Sequence, residues 1–128
     1  MVSSPRRGFT LIELLIVVVI IGIIAAIAVP KFASTKGKAN AAALRADLRN
    51  LASAQESYWY DHNTYAPNTT DLNYTTSPGV ILSIVAANLG GWSATATHPQ
   101  SFPLTCAIYA GNATPVAPAL TEGVVGCE

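Results

Sequence analysis

The sequence is poor in the residues that carry most catalytic and binding chemistry. Only 11% of its 128 residues are charged, and seven lysines and arginines balance seven aspartates and glutamates. It has two histidines and two cysteines, and it contains no Gly-rich phosphate loop, no CxxC pair and no nucleophile motif. This composition excludes a broad basic surface for nucleic acid and offers no cluster of catalytic or metal-ligating side chains. We therefore expect no catalytic residue, no metal, no cofactor and no nucleic-acid partner.

One apolar segment dominates what is present. It runs from Gly8 to Phe32, follows Arg6 and Arg7, and contains a single carboxylate, Glu13. The 21 residues from Phe9 to Val29, at about 1.5 Å of helical rise each, are long enough to cross the ~30 Å hydrocarbon core of a bilayer. A charged group inside such a segment is costly, so Glu13 is predicted to be functional.

The start of this segment resembles a known motif. A short basic leader at positions 1–8 is followed by the residues FTLIE at positions 9–13 and by an apolar helix that contains Gly22 and Pro30. This order of residues is similar to the processing and assembly motif of type IV pilins and of type II secretion pseudopilins. The resemblance covers the first quarter of the chain.

The resemblance assigns roles to five residues. It implies that a membrane-bound prepilin peptidase and methyltransferase cuts between Gly8 and Phe9 on the cytoplasmic side and methylates the new amino group of Phe9. In a filament, the Glu13 of one subunit is then expected to neutralise the Phe9 amine of a neighbour. Such pairing favours one register, because a misplaced subunit leaves a buried charge without a partner. The segment from Gly22 to Pro30 is expected to stretch or unwind when the subunit leaves the bilayer, since both residues weaken a helix.

The implied function is structural. The chain is expected to be the major pilin of a type IV pilus, a homo-oligomeric helical filament. Before assembly it is expected to reside in the inner membrane and to contact an assembly platform there, and after assembly to form part of an extracellular pilus. The alternatives are a pseudopilin of a type II secretion system, whose fibre is periplasmic, a minor pilin, and a single-pass membrane protein with an external binding domain. Many major pseudopilins have a calcium site near the C-terminus, whereas Glu122 and Glu128 are the only acids after Asp71, too few for an oxygen cage.

The expected fold class is α+β, the pilin fold: a long kinked N-terminal helix packed on a small antiparallel sheet. Residues 1–8 are the leader, 9–30 the transmembrane or filament-core helix, and 31–128 the globular domain. The helix is predicted to continue to about Tyr60. Its second half has an apolar stripe at spacings of four and three, formed by Leu44, Leu48, Leu51, Gln55 and Tyr58. The charged residues predicted to lie largely off the stripe are Lys38, Arg45, Asp47, Arg49 and Glu56.

Three strands are predicted after a polar loop. They are Val80–Ala86, Trp92–Thr97 and Leu104–Tyr109, and their short connections imply an antiparallel meander of three or four strands. One face of this sheet is expected to bury the apolar stripe. The residues from Gly111 to Glu128 are rich in Pro, Ala and Gly and are predicted to form a tail.

Two cysteines, Cys106 and Cys127, lie in the last quarter of the chain. An even number of cysteines in a domain beyond a membrane favours a disulfide, which would tie the tail to the last predicted strand. Closing a loop of about 20 residues stabilises a fold by about 3 kcal/mol. The alternative is a pair of free buried thiols in a cytosolic domain.

The topology and the end of the helix leave other interpretations open. The positive flanks by themselves place the C-terminal part in the cytoplasm, and only the cysteine pair and the resemblance favour the outside. A secretory signal peptide is a competing interpretation of the apolar segment, with Ala26-Ile27-Ala28 as the cleavage site.

His62 beside Asp61 is a candidate metal ligand or general base, but no second ligand lies at suitable spacing, so we expect a solvated loop histidine.

Overall fold

The structure is a computed structural model that describes residues 8–103 and 105–128. The predicted leader, apart from Gly8, therefore lies outside the described residues, as does Leu104 at the start of the third predicted strand. Contacts divide the chain into two compact units, Met1–Ala33 and Ser34–Glu128. Each unit is described by itself below.

Helix α1 runs from Leu11 to His62 and contains both the apolar and the amphipathic segments. It includes Pro30, which has no N–H and cannot donate a helical hydrogen bond to the carbonyl of residue 26. The helix ends where Asn63 adopts a left-handed conformation with φ of 55° and donates its N–H to the carbonyl of Trp59 at 2.7 Å. This is a left-handed C-terminal cap, which satisfies one of the last carbonyls of the helix.

His62 belongs to the last turn of α1, so the prediction of a loop histidine was wrong about its secondary structure. Its ring is exposed and stacks on the ring of Tyr58 with centroids 4.0 Å apart. One ring nitrogen lies 3.0 Å from the carbonyl oxygen of Tyr58. Tyr58 and His62 lie four residues apart on one face of the helix, so the stack is a contact within the last turn of α1.

Four antiparallel strands form one sheet in the order β1-β2-β3-β4. They are β1 Ile81–Ala87, β2 Gly91–Thr97, β3 Thr105–Gly111 and β4 Gly126–Cys127. The predicted meander is confirmed, with boundaries shifted by one or two residues. The tail adds the two-residue strand β4, in which Cys127 pairs directly with Cys106. Two residues are too few to show the alternating pattern of a strand in the sequence, so β4 is recognised only from its pairing with β3. A 3₁₀ helix, Thr69–Leu72, lies within the predicted polar loop.

The core lies between the second half of α1 and one face of the sheet. The helix contributes Leu44, Leu48 and Leu51, each fully buried, as the apolar stripe predicts. The remaining members of the buried cluster are Val80, Trp92, Ala94, Ala96, Cys106 and Ile108. Small alanines on β2 let the leucines approach the sheet closely, and Trp92 is the largest of the fully buried side chains.

Asp47 corrects one prediction about the charged face. It was placed off the apolar stripe, yet it is only 3% exposed, whereas Arg45 and Arg49 are exposed as expected. Position 47 follows Leu44 by three residues and precedes Leu51 by four, so it lies on the same helix face as the stripe. A buried carboxylate is strongly destabilising unless it accepts hydrogen bonds, so Asp47 requires donors from within the fold.

Candidate assembly site

The first unit exposes a helix segment that is apolar from Leu14 to Val29. Every large apolar side chain from Leu11 to Val29 is exposed, from 46% at Val17 to 82% at Leu11. Its most apolar window has a mean hydropathy of 3.2, and α1 is the one helix among the described residues that is long and apolar enough to cross a membrane. Burying one such side chain stabilises by about 1.5–3 kcal/mol, so the segment gains tens of kcal/mol from an apolar environment. Lipid and a bundle of apolar helices are environments of that kind.

The helix begins in a capping box built by Thr10 and Glu13. The N–H of Thr10 donates to Glu13 Oε2 at 2.8 Å, and the N–H of Glu13 donates to Thr10 Oγ1 at 3.3 Å. The Thr10 hydroxyl also donates to Glu13 Oε2 at 2.6 Å. These reciprocal bonds satisfy backbone donors that the first helical turn leaves without partners.

The capping box gives Glu13 a defined position in the apolar segment. Its negative charge lies at the helix N-terminus, where the helix dipole is positive. The carboxylate is turned back toward Thr10, whose nitrogen is bonded directly to the carbonyl carbon of Phe9. Phe9 itself is 74% exposed. The acid thus faces the point where the mature chain is predicted to begin.

Gly22 and Pro30 both lie within α1, and the surroundings of Gly22 are open. Apart from its chain neighbours and the adjacent helix backbone, no heavy atom of the described residues lies within 4 Å of the position that a Cβ on Gly22 would occupy. Contacts made by residues 8–103 and 105–128 therefore do not require a glycine at that position. The requirement that remains is conformational, or comes from another molecule close to the helix.

In the second unit, Asp47 holds the loop that leads into β1. Its carboxylate accepts hydrogen bonds from the Tyr74 hydroxyl at 3.0 Å, from the Ser77 N–H at 2.9 Å and from the Ser77 hydroxyl at 3.0 Å. Burial, and then the neighbouring Asp47 carboxylate, raise the pKa of the Tyr74 phenol above its ordinary value of 10.0, while Asn50 has the opposite effect. The loop is therefore bound to the helix through one buried acid.

Gln55 and Glu56 fix the segment that follows α1. The Gln55 side chain accepts from the N–H of Ala66 at 2.8 Å and donates to its carbonyl at 2.9 Å. The Tyr65 hydroxyl donates to Glu56 Oε1 at 3.1 Å. Burial, reinforced by Glu56, raises the pKa of Tyr65. These bonds hold Tyr65 and Ala66 against α1 shortly after the helix ends.

The C-terminal residues are attached to β3. A disulfide joins Cys106 to Cys127 across directly paired positions, with their Cα atoms 4.0 Å apart. Thr105 and Glu128 exchange two backbone hydrogen bonds at 3.1 and 3.0 Å. Glu122 Oε1 accepts from the N–H of Gly111 at 2.7 Å, so one of the two late acids is used within the fold.

Comparisons with known proteins agree with this geometry. Residues 3–29 match the model of the prokaryotic N-terminal methylation motif. The chain is 38% identical over 96 residues to the type IV wide pilus major component PilA4 of Thermus thermophilus, covering 72% of this chain and 73% of the relative. The chain belongs to the type IV pilin and pseudopilin family.

Two further relatives represent the two branches of the pilin family. The type IV major pilin protein PilA of Myxococcus xanthus is 39% identical over 77 residues, which is 59% of this chain and 35% of the relative. The type II secretion system core protein G of Pseudomonas aeruginosa is 42% identical over 65 residues, which is 51% of this chain and 46% of the relative. The pilin chain therefore spans less than half the length of these two relatives.

The structure brings some of the predicted residues together and adds others. Glu13 lies in the first turn, and Cys106 and Cys127 are bonded, but Gly22 and Pro30 make no common site. Sequence reasoning missed Thr10 as the partner of Glu13. The signal was present, because a threonine three residues before a glutamate at the start of an apolar run is the capping-box pattern.

Proposed function

We propose that this pilin-family chain is the major structural subunit of a type IV pilus. The observation that carries the proposal is the apolar half of α1, whose large side chains are exposed along its whole length in the described part of the chain. Such a helix is stable in two environments, a bilayer and a bundle of identical helices. Residues 9–30 span the inner membrane before assembly and form the filament core afterwards, while residues 31–128 form the outer domain.

Processing starts the exchange between these environments. Prepilin peptidase removes residues 1–8 by cutting between Gly8 and Phe9, and the new Phe9 amine is methylated. The prokaryotic N-terminal methylation motif at residues 3–29 supports this step. Mass spectrometry of the chain from cells is expected to show a mature start at Phe9. A start at Val29 would support a secretory signal peptide instead.

Glu13 acts in assembly through its charge. Cleavage produces a cationic amine at Phe9, four residues before a carboxylate that the capping box holds toward the N-terminus. In the filament this carboxylate neutralises the Phe9 amine of a neighbouring subunit, which fixes the register because a buried unpaired charge is strongly destabilising. The subunit reaches the inner-membrane assembly platform with this carboxylate already held toward its N-terminus.

Two substitutions separate the charge of Glu13 from its capping role. Glu13→Gln preserves the capping box, because an amide oxygen accepts the Thr10 N–H, but it removes the negative charge. We expect Glu13→Gln to insert in the membrane and to assemble as poorly as Glu13→Ala. Thr10→Val weakens the cap, keeps the charge, and is expected to assemble better than either. Abundant fibres from Glu13→Gln alone would show that the cap, and not charge pairing, matters.

A pseudopilin of a type II secretion system is the second candidate. The similarity to the type II secretion system core protein G of several bacteria favours it. Electron microscopy of a strain that lacks this chain distinguishes the two functions. Loss of long surface fibres is expected for a major pilin. Unchanged fibres together with failed protein secretion would favour the pseudopilin.

A further inference from the structure

Positive and negative side chains are segregated along the second unit, Ser34–Glu128. Its lysines and arginines all lie at or before Arg49, and none occurs in residues 50–128. Apart from buried Asp47, its acids all follow Arg49, and they are Glu56, Asp61, Asp71, Glu122 and Glu128. Two of these, Glu56 and Glu122, accept hydrogen bonds within the fold. The unit therefore has separate regions of opposite charge.

Asp61 and Asp71 line one cleft near the end of α1, called the acidic cleft below. The cleft has a volume of about 370 Å³ and lies between α1 and the 3₁₀ helix Thr69–Leu72. Both aspartates are exposed, and neither forms an ion pair with another described residue. The other residues that line the cleft are Ala54, Ser57, Tyr58, His62, Leu72 and Asn73.

The acidic cleft combines its carboxylates with flat rings. The rings of Tyr58 and His62 stack with centroids 4.0 Å apart and planes 11° from parallel. His62 Nδ1 lies 3.0 Å from the Tyr58 carbonyl oxygen, which can only accept, so Nδ1 carries the hydrogen and Nε2 of the neutral ring is an acceptor. A planar guanidinium stacks on aromatic rings and donates to a carboxylate through two N–H groups, whereas a lysine ammonium is a compact point charge. The lining therefore suits an arginine better than a lysine.

Arg45 and Arg49, called the arginine pair below, are the two arginines that lie outside the predicted leader. Both are exposed, and neither is paired with a carboxylate of the described residues. They lie one helical turn apart on the same face of α1, where like charges repel each other. A carboxylate from another molecule would relieve that repulsion.

The arginine pair cannot reach the acidic cleft of its own chain. The helix rises by about 18 Å between Arg49 and Asp61 and by about 24 Å between Arg45 and Asp61, far more than the length of an arginine side chain. At about 100° per residue, Arg45 and Asp61 also project in directions about 160° apart around the helix. The chain therefore offers its arginine pair on one side of α1 and its acidic cleft on the other.

We propose that the arginine pair of one subunit binds the acidic cleft of a second copy of this chain. Two cations meet two carboxylates, and a guanidinium stacks on the rings that line the cleft. Because the two surfaces lie on opposite sides of α1, the contact is heterologous, and each subunit can bind one neighbour through each surface. Contacts of this type extend open helical assemblies. The inference rests on the proposed function, since a filament of identical subunits is such an assembly.

Charge reversal in the full chain tests this contact through the yield of fibres sheared from cells. Arg45→Glu with Arg49→Glu, and separately Asp61→Arg with Asp71→Arg, are each expected to lower the yield about tenfold or more, because like charges then face each other. All four changes combined restore opposite charges and are expected to recover most of the yield. The amount of each variant in the membrane fraction shows whether the subunit accumulates normally.

A photoreactive residue in the acidic cleft identifies its occupant directly. Ser57→benzoylphenylalanine, at an exposed position that lines the cleft, is expected on illumination to give a covalent dimer whose cross-link maps to residues 39–50 of a second copy. Ser53→benzoylphenylalanine is the matched control, because Ser53 is exposed on the same helix but does not line the cleft, and it is expected to give no such product.

The outcomes separate this contact from the proposed function. Fibre yields unchanged in both reversal pairs would overturn the contact and leave the proposed function intact, as would a cross-link from position 57 to another protein or to another part of the chain. The cross-link decides even where a reversed variant fails to accumulate, since it is made in an otherwise unchanged chain. Absence of fibres that contain the unchanged chain would overturn the proposed function and the contact together.

Discussion

Replacing Asp47 is expected to release the loop before β1 from the helix. The Asp47→Ala substitution removes the acceptor of three hydrogen bonds, two from Ser77 and one from the Tyr74 hydroxyl. The carboxylate is 3% exposed, whereas its partners are only half-buried. The donors that remain can therefore gain water, but only if the loop moves away from the helix.

The magnitude follows from these contacts. Each hydrogen bond to a charged acceptor contributes about 1.5–3 kcal/mol, which gives an upper limit near 5–9 kcal/mol for three of them. The substitution also lets water hydrate the half-buried donors and removes the cost of burying the carboxylate, and together these effects offset about half of that upper limit. We therefore expect Asp47→Ala to lower the free energy of unfolding by about 2–4 kcal/mol. Asp47→Asn keeps the shape and part of the bonding, and is expected to cost about 1–2 kcal/mol.

Denaturant unfolding of the full chain in detergent micelles measures this loss, with buried Trp92 as the spectroscopic probe. Asp61→Ala is the matched control, because Asp61 is an exposed acid on the same helix, and we expect it to change stability by less than about 0.5 kcal/mol. Amide hydrogen exchange at Ser77 reports the local bond directly and is expected to accelerate in Asp47→Ala. Equal stability of Asp47→Ala and Asp61→Ala, with unchanged exchange at Ser77, would refute the assigned role.

Three further predictions concern stability. The folded state raises the pKa of Tyr74 above 10.0, so it binds the phenol proton more tightly than the unfolded state does. Its contribution is therefore complete below about pH 10 and is lost as pH rises through the folded pKa; unfolding measured against pH is expected to show this slope, and Tyr74→Phe to reduce it. Gln55→Leu leaves both backbone groups of Ala66 without partners and is expected to cost about 2–3 kcal/mol in denaturant unfolding, whereas a change below about 0.5 kcal/mol would contradict that role. Reducing the Cys106–Cys127 bond opens a loop with a sequence separation of 21 and is expected to cost about 3 kcal/mol, a loss that the double serine variant, measured without reductant, should reproduce.

Local signals in the sequence were sufficient for the long helix and its two segments. The apolar run can be recognised without tertiary information. It has 21 residues with no charge except Glu13, and a helix of that length matches the thickness of the hydrocarbon core of a bilayer. The stripe of Leu44, Leu48 and Leu51 likewise follows from helical periodicity, and all three leucines are buried. The meander followed from short turns between β-rich segments.

Local signals failed where a residue's role depends on a distant partner. Asp47 has the chemistry of a surface residue, and only the donors of the loop 27 to 30 residues later explain why it is buried. From the sequence, Gly37 is only a weak helix former, whereas the structure shows that the Phe102 ring packs directly on it. The strand β4 is defined by its pairing with β3, where Cys127 lies opposite Cys106 and Gly126 lies opposite Ala107.

The sequence by itself therefore determined the family of the protein and the apolar helix through which we propose that it assembles, since both depend on hydrophobicity, length and a short motif within one segment. Only the tertiary structure decided which polar residues are buried, how the loops are fastened and where an aromatic ring packs on a glycine. Those features depend on pairs of residues far apart in the chain, whose proximity is set by packing and not by periodicity.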